Sequence, residues 1–146
     1  MKTLLIFYSF SGNNEALAKK LQDLLQCDIF RIEEATRRRS ISILLDLIFR
    51  RTSKLKDYTL RLEAYDHIVL VSPIWAGKVS TPMQSFLARE SVRIRRYSFI
   101  SLCGGLQGQR QKISDYLESA LPVKPVSVEE LWVNDLLPPG QKNSVK

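Results

Sequence analysis

Strand-like and helix-like segments alternate along this chain from one end to the other, and few architectures accommodate that pattern. Residues Thr3–Tyr8 read as a buried first strand, and Leu17, Leu21, Leu24 and Leu25 recur at the helical period after it. Cys27–Ile32 reads as a short second strand, and His67–Ser72 as a third that Pro73 is expected to stop. Thr81-Pro82 opens a helix, since threonine caps and proline suits the first helical position. Met83, Phe86 and Leu87 give that helix an apolar face. Tyr97–Leu102 is the fourth strand, ended by Cys103-Gly104-Gly105. Ile113, Tyr116, Leu117 and Leu121 mark another helix, and Val126–Val133 is the fifth strand. This order predicts an α/β fold, a doubly wound open five-stranded parallel sheet with right-handed crossovers. Ligands of such sheets bind beyond the carboxyl ends of the strands, at the switch point in strand order. Loops 9–14, 73–79 and 103–108 would meet there.

The first of these loops carries the sharpest chemical signal. In Tyr8-Ser9-Phe10-Ser11-Gly12-Asn13-Asn14-Glu15, a strand turns through hydroxyl, glycine and amide residues into a helix. Such a turn aims backbone N–H groups at one point, and the helix N-terminus adds partial positive charge there. That is a site for a phosphate, lined by hydroxyls and amides, with no lysine or arginine in the loop itself. Ser9, Ser11, Asn13 and Asn14 can donate hydrogen bonds, and Gly12 permits close approach. The plainer reading is an ordinary capped helix start. Glu15, an anion beside the proposed phosphate, counts mildly against binding.

At 146 residues the chain is read as one domain over 1–133 with a loose tail over 134–146. The N-terminal apolar run is far too short for a signal peptide, and no stretch approaches the length of a membrane span. Two cysteines, Cys27 and Cys103, and one histidine, His67, fit neither a disulfide framework nor a zinc site. These features set the expectation of a soluble protein in a reducing, cytoplasmic setting, with no metal. A net charge of +7 attracts anionic partners. The charge concentrates around an expected amphipathic helix, Ile41–Arg51, with Arg37, Arg38 and Arg39 before it and Arg50, Arg51, Lys54 and Lys56 at and after its end. It reads either as a dock for an acidic redox partner, an anionic substrate or an NADPH phosphate, or as a solvated face, and the solvated face is preferred. Arg89, Arg93, Arg95 and Arg96 form a second basic group of the same kind. No nucleic-acid reading motif is present.

Ser9-Phe10-Ser11-Gly12-Asn13-Asn14 resembles the phosphate loop of the flavodoxin family, S/T-x-S/T-G-N-T, with Asn14 in place of the usual threonine. Ser72-Pro73-Ile74-Trp75-Ala76-Gly77-Lys78 resembles the family's second flavin loop in its short-chain form, and Thr81–Leu87 the helix after it. The resemblance covers roughly residues 1–133. It implies a flavodoxin-like sheet of order 2-1-3-4-5 and noncovalently bound FMN; flavodoxin is itself the standard example of that order with FMN at the switch point. Ser9, Ser11, Gly12, Asn13 and Asn14 would hold the phosphate, and Pro73, Ile74, Trp75, Ala76, Gly77, Cys103, Gly104 and Gly105 would line the flavin ring. Trp75 would lie against the ring, although alone it reads as a loop aromatic packed on its neighbours. The peptide at Ala76-Gly77 would turn to meet the N5–H of reduced flavin. Cys103 reads as a small strand-end residue rather than a reactive thiol. The third loop has no aromatic residue to cover the second ring face, so a quinone or NAD(P)H could stack there.

Two departures from the family stand out. Its carriers are typically acidic, and this chain is basic. Its fifth strand is normally followed by a covering helix, whereas 13 residues with two prolines and a glycine follow Val133 here. The last covering helix is therefore expected to be missing, with the tail or a second subunit in a homodimer covering Leu131 and Trp132. The functional expectation is an FMN-binding redox protein serving a protein partner, with a small NAD(P)H-dependent FMN or quinone reductase as the variant. The competing class is a flavin-free binding module on the same fold.

Overall fold

The computed structural model describes residues 1–35, 53–103 and 108–132. Strands β1 (Thr3–Phe7), β2 (Asp28–Arg31), β3 (His67–Trp75), β5 (Tyr97–Cys103) and β6 (Val128–Trp132) form a parallel sheet in the order β2-β1-β3-β5-β6. The two-residue β4 (Lys78–Val79) lies off this path, antiparallel to the end of β3. Leaving β4 aside, the order is the 2-1-3-4-5 that the flavodoxin resemblance implies. Helices α1 (Asn13–Leu25), α2 (Thr81–Glu90) and α3 (Arg110–Ala120), with a short 3-10 helix at Leu62–Ala64, complete the described elements. The expected basic helix at 41–51 and the tail lie outside the described residues. Among the described residues no helix is long and apolar enough to cross a membrane, and no cluster of ligating side chains could hold a metal.

Alternation along the strands divides the core between two faces. Leu4, Ile6 and Tyr8 pack with Ile68, Leu70 and Phe99 under Met83, Phe86 and Leu87 of α2 and Ile113 and Leu117 of α3. Leu5 and Phe7 join Val69, Val71 and Leu102 beneath Leu17 and Ala18 of α1, with Leu131 of β6 partly buried against them. Only α1 covers this second face among the described residues. Two of the leucines expected on its apolar stripe do not belong there: Leu24 is 79% exposed and Leu25 49%. They sit in the last turn of the helix.

Pro73 does not stop the third strand, which runs on to Trp75. Successive residues of a strand direct their N–H and C=O groups to alternate neighbours. The Val71 carbonyl accepts the Tyr8 N–H at 3.1 Å, so Pro73 faces the same side, where β1 has already ended at Phe7. The missing N–H of Pro73 therefore breaks no ladder bond, and its carbonyl accepts the Ser80 N–H at 3.2 Å. The start of α2 also shifts by one residue. Ser80 occupies the cap position, Thr81 is already helical, and the Ser80 hydroxyl bonds the Ser72 hydroxyl at 2.8 Å rather than capping the helix.

Hydrogen bonds centred on a buried carboxylate and a half-buried arginine tie the segment before β3 to the end of α2. Glu90, only 4% exposed, accepts from the Tyr58 hydroxyl and from Arg93 Nη1, each at 2.7 Å. Arg93 also bonds Glu63 and the Leu60 carbonyl. The solvated reading of the second basic group thus fails for Arg93, which is part of the architecture.

Candidate functional site

Beyond the carboxyl end of β1, Gly12 adopts φ +92° and gives the chain its turn into α1. Its C=O accepts the Ala16 N–H at 3.0 Å, the first bond of the helix. No side chain caps this helix. The N–H groups of the first helical turn have no carbonyl within the helix to bond. The plainer reading of a capped helix start therefore does not describe this turn. Ser9 is buried, and its Oγ accepts the Gly12 N–H at 3.1 Å, which staples the loop. A hydroxyl that accepts in this way still has its own proton to donate. A Cβ built on Gly12 would meet nothing within 4 Å, so the turn opens onto free space. Asn14 is only 4% exposed, yet its Oδ1 has no hydrogen-bond partner. Rotating the amide by 180° would put the Nδ2 donor in that position instead. Ser11 is exposed and Asn13 partly so.

The charge around the turn differs from that of the loop alone. β1 and β2 pair with Phe7 opposite Arg31, which brings Arg31 alongside the loop that follows Phe7. Arg31 Nη1 bonds Glu15 Oε2 at 3.0 Å, Nη2 lies 3.5 Å from the Ser9 carbonyl, and the guanidinium stands 5.8 Å from the Phe7 ring centroid. Lys19 Nζ bonds the other Glu15 oxygen at 3.1 Å. The Lys19 hydrogen bond, and then the positive charge of Arg31, hold the Glu15 carboxyl below its ordinary range. Glu15 is thus flanked by two cations, and its argument against an anion site falls away.

Ala76 and Gly77 form a two-residue hairpin between β3 and β4, with φ +48° and +75°. Positive φ at both central residues is the pattern of a type I′ turn, which suits the twist of the flanking strands. Trp75 enters this hairpin half-buried, edge-on to Tyr8 at 5.8 Å and to Phe10 at 6.4 Å between ring centroids. Phe10, 41% exposed, extends the aromatic wall from the phosphate turn toward the hairpin. The residue that ends the third loop lies close by: Gly108, at φ +78°, precedes Gln109, whose Oε1 would lie 2.9 Å from a Cβ on Gly77. A cavity of about 340 Å³ opens behind the hairpin, with Val79, Ile113 and Tyr116 as its apolar floor and Lys78 and Lys112 at its rim.

Two of the three expected loops therefore converge as residues, and the third does so through Gly108 and Gln109. Ser9, Gly12 and Asn14 gather at the phosphate turn, and Trp75, Ala76 and Gly77 at the hairpin. Pro73 and Ile74 lie in β3 leading to it, and Pro73 acts through its carbonyl rather than as a break. Cys103 ends β5. Gly104 and Gly105 lie outside the described residues. Sequence reading missed Arg31, Phe10 and Gln109. Phe10 was legible as the apolar residue inside the motif; Arg31 and Gln109 arrive from distant segments.

An uncapped helix start at the carboxyl end of β1, in a sheet ordered 2-1-3-4-5, defines a flavodoxin-like α/β protein. Comparison with solved structures gives the same class. A flavoprotein from Lactobacillus acidophilus, solved in complex with FMN, superposes with a TM-score of 0.71 at 19% identity over 88% of this chain and 92% of that one. A Bacteroides eggerthii chain provisionally assigned as a flavoprotein matches with a TM-score of 0.75 at 18% identity, over 90% of this chain and 87% of that one. General stress protein 14 of Treponema denticola, in complex with FMN, matches with a TM-score of 0.58 at 9% identity, over 93% of this chain and 91% of that one. No protein-family model and no curated protein sequence matches the chain. At these identities the likeness establishes the fold.

Proposed function

We propose that this chain binds FMN noncovalently and works as a redox protein, passing electrons through that cofactor to a partner. The observation that carries the reading is the phosphate turn. A helix start with no side-chain cap opens onto free space beside a buried asparagine whose amide has an unpartnered end. Burying an amide without a bond is unfavourable unless a ligand completes it. With the amide turned to present Nδ2, a phosphate monoester would accept from it, and two of the structural neighbours named above hold FMN.

The residues present fit the group. Ser9, Ser11, Asn13 and Asn14 would hold the phosphate, with the helix N-terminus adding attraction. Trp75 and Phe10 offer apolar surface to the ring and keep water from it. The backbone of Ala76-Gly77, already in left-handed conformations, offers peptide groups to the ring edge. When bound, FMN supplies the electron transfer itself; the protein orients it and sets its polarity. Lys78 and Lys112, beside the hairpin, favour an anionic or acidic partner.

Titration of apo-protein with FMN, followed by stepwise anaerobic reduction, tests the reading. Saturable quenching of flavin fluorescence is expected. A colourless protein that leaves added FMN fluorescence unchanged would favour the flavin-free module. Steady-state NAD(P)H oxidation by the reconstituted protein separates the two redox variants: robust turnover identifies a reductase, and its absence a carrier.

A further inference from the structure

The geometry points to Arg31 as the counter-cation of the bound phosphate, the residue that makes the site prefer a phosphorylated flavin to an unphosphorylated one. This rests on the FMN reading above. The phosphate loop contains no cation of its own, and the cation comes from the neighbouring strand. Parallel pairing with Phe7 opposite Arg31 fixes its backbone at the carboxyl edge of the sheet. Its side chain is then held on three sides, by Glu15, by the Ser9 carbonyl and by the face of Phe7.

That arrangement leaves a guanidinium pre-positioned and only partly used. Arginine has five N–H donors in a planar fork, and the contacts to Glu15 and Ser9 involve one N–H on each terminal nitrogen. Because the side chain is already fixed, little rotamer freedom remains to be lost on binding. Charge points the same way. Glu15 carries one negative charge against Lys19 and Arg31, so the entrance to α1 has a positive excess that adds to the helix end. Lys19 can keep Glu15 paired if Arg31 turns part of its fork toward a phosphate. The Arg31 side chain is 43% exposed, so solvent and salt screen the attraction. A moderate effect is expected, larger than that of a free surface pair and smaller than that of a buried one.

The test compares FMN with riboflavin on apo-protein, using wild type, Arg31→Gln and Arg31→Lys, by flavin fluorescence at low and high salt. Far-UV circular dichroism and thermal melts establish that each variant is folded. Arg31→Gln is expected to weaken FMN binding about 5- to 10-fold, to leave riboflavin binding unchanged, and to flatten the salt dependence of FMN binding. Arg31→Lys is expected to recover part of the loss, since it keeps the charge without the fork. Equal FMN affinity in wild type and Arg31→Gln overturns the assignment and leaves the cofactor reading standing. So does an equal loss for both flavins, which would mean that Arg31 only supports the loop. A folded wild type that binds no FMN overturns both.

Discussion

The hairpin Trp75-Ala76-Gly77-Lys78 predicts a measurable asymmetry between its two central residues. Both have left-handed φ, +48° at Ala76 and +75° at Gly77, so a side chain at either is strained. Left-handed conformation costs an L-residue about 1–2 kcal/mol. Gly→Ala recovers about 0.4–1 kcal/mol by restricting the unfolded chain. Gly77→Ala should therefore destabilise by about 1 kcal/mol from the backbone alone. A second contribution comes from Gln109, whose Oε1 would lie 2.9 Å from the new Cβ and whose Cδ would lie at 3.6 Å. The amide end of a glutamine can swing aside, so this contact adds less than the strain. For a chain of this length 1 kcal/mol corresponds to about 4 °C in Tm. Thermal melts of apo-protein should thus show Gly77→Ala lower by about that amount, with part of the loss removed in a Gln109→Ala background. Ala76→Gly exchanges the same two terms with opposite sign and should be neutral to about 1 kcal/mol stabilising. If Gly77→Ala melted with the wild type, or Ala76→Gly melted well below it, the left-handed hairpin would not be the solution structure, and its backbone could not serve the flavin edge as proposed.

Asn14→Ala removes a buried amide whose oxygen is already unpartnered, so apo-protein stability should change little, whereas FMN binding should weaken at least 10-fold by titration, given about 1.5 kcal/mol or more for a hydrogen bond to a charged group. Glu90→Ala leaves the half-buried Tyr58 hydroxyl and one Arg93 nitrogen without their partner and should lower stability to urea by about 2 kcal/mol, below the range for a fully buried pair because Arg93 keeps Glu63 and is itself partly exposed. Glu63 is held down at about 2, chiefly by its hydrogen bond from Arg93; it stays ionised in the folded chain, so its contribution is present above its ordinary 4.5 and is lost as pH falls toward 2. Burial pushes Tyr97 and Tyr116 up to about 12, so their contribution is present below their ordinary 10 and is lost as pH rises through 12. Denaturant titrations across both windows should find stability falling at each end, and a flat profile between pH 10 and 12 would show those tyrosines to be hydrated.

The parts of this architecture that sequence alone revealed are the local ones. An apolar run, a glycine at the turn and a helical period lie within a few residues of each other, so Thr3–Leu25 could be read as strand, turn and helix without its surroundings. Pro73 misled because its local meaning, a strand breaker, depends on which side its absent N–H faces; only the shorter length of β1 makes that side empty. Leu24 and Leu25 keep the helical period yet stay exposed in the last turn of α1, because periodicity does not record where a helix's packing partners end. The electrostatics of the phosphate turn were the least legible. From the motif alone, Glu15 stands beside the anion with no basic loop residue to offset it. In the fold, a parallel register of Phe7 with Arg31 sets a guanidinium against both Glu15 and the Ser9 carbonyl. A one-residue slip in that pairing would turn Arg31 to the opposite face of the sheet and leave the motif itself unaltered. The sign of charge at this site is therefore a property of strand pairing, and a chain with the same loop but a different residue at the end of β2 would hold a phosphate on amides and hydroxyls alone.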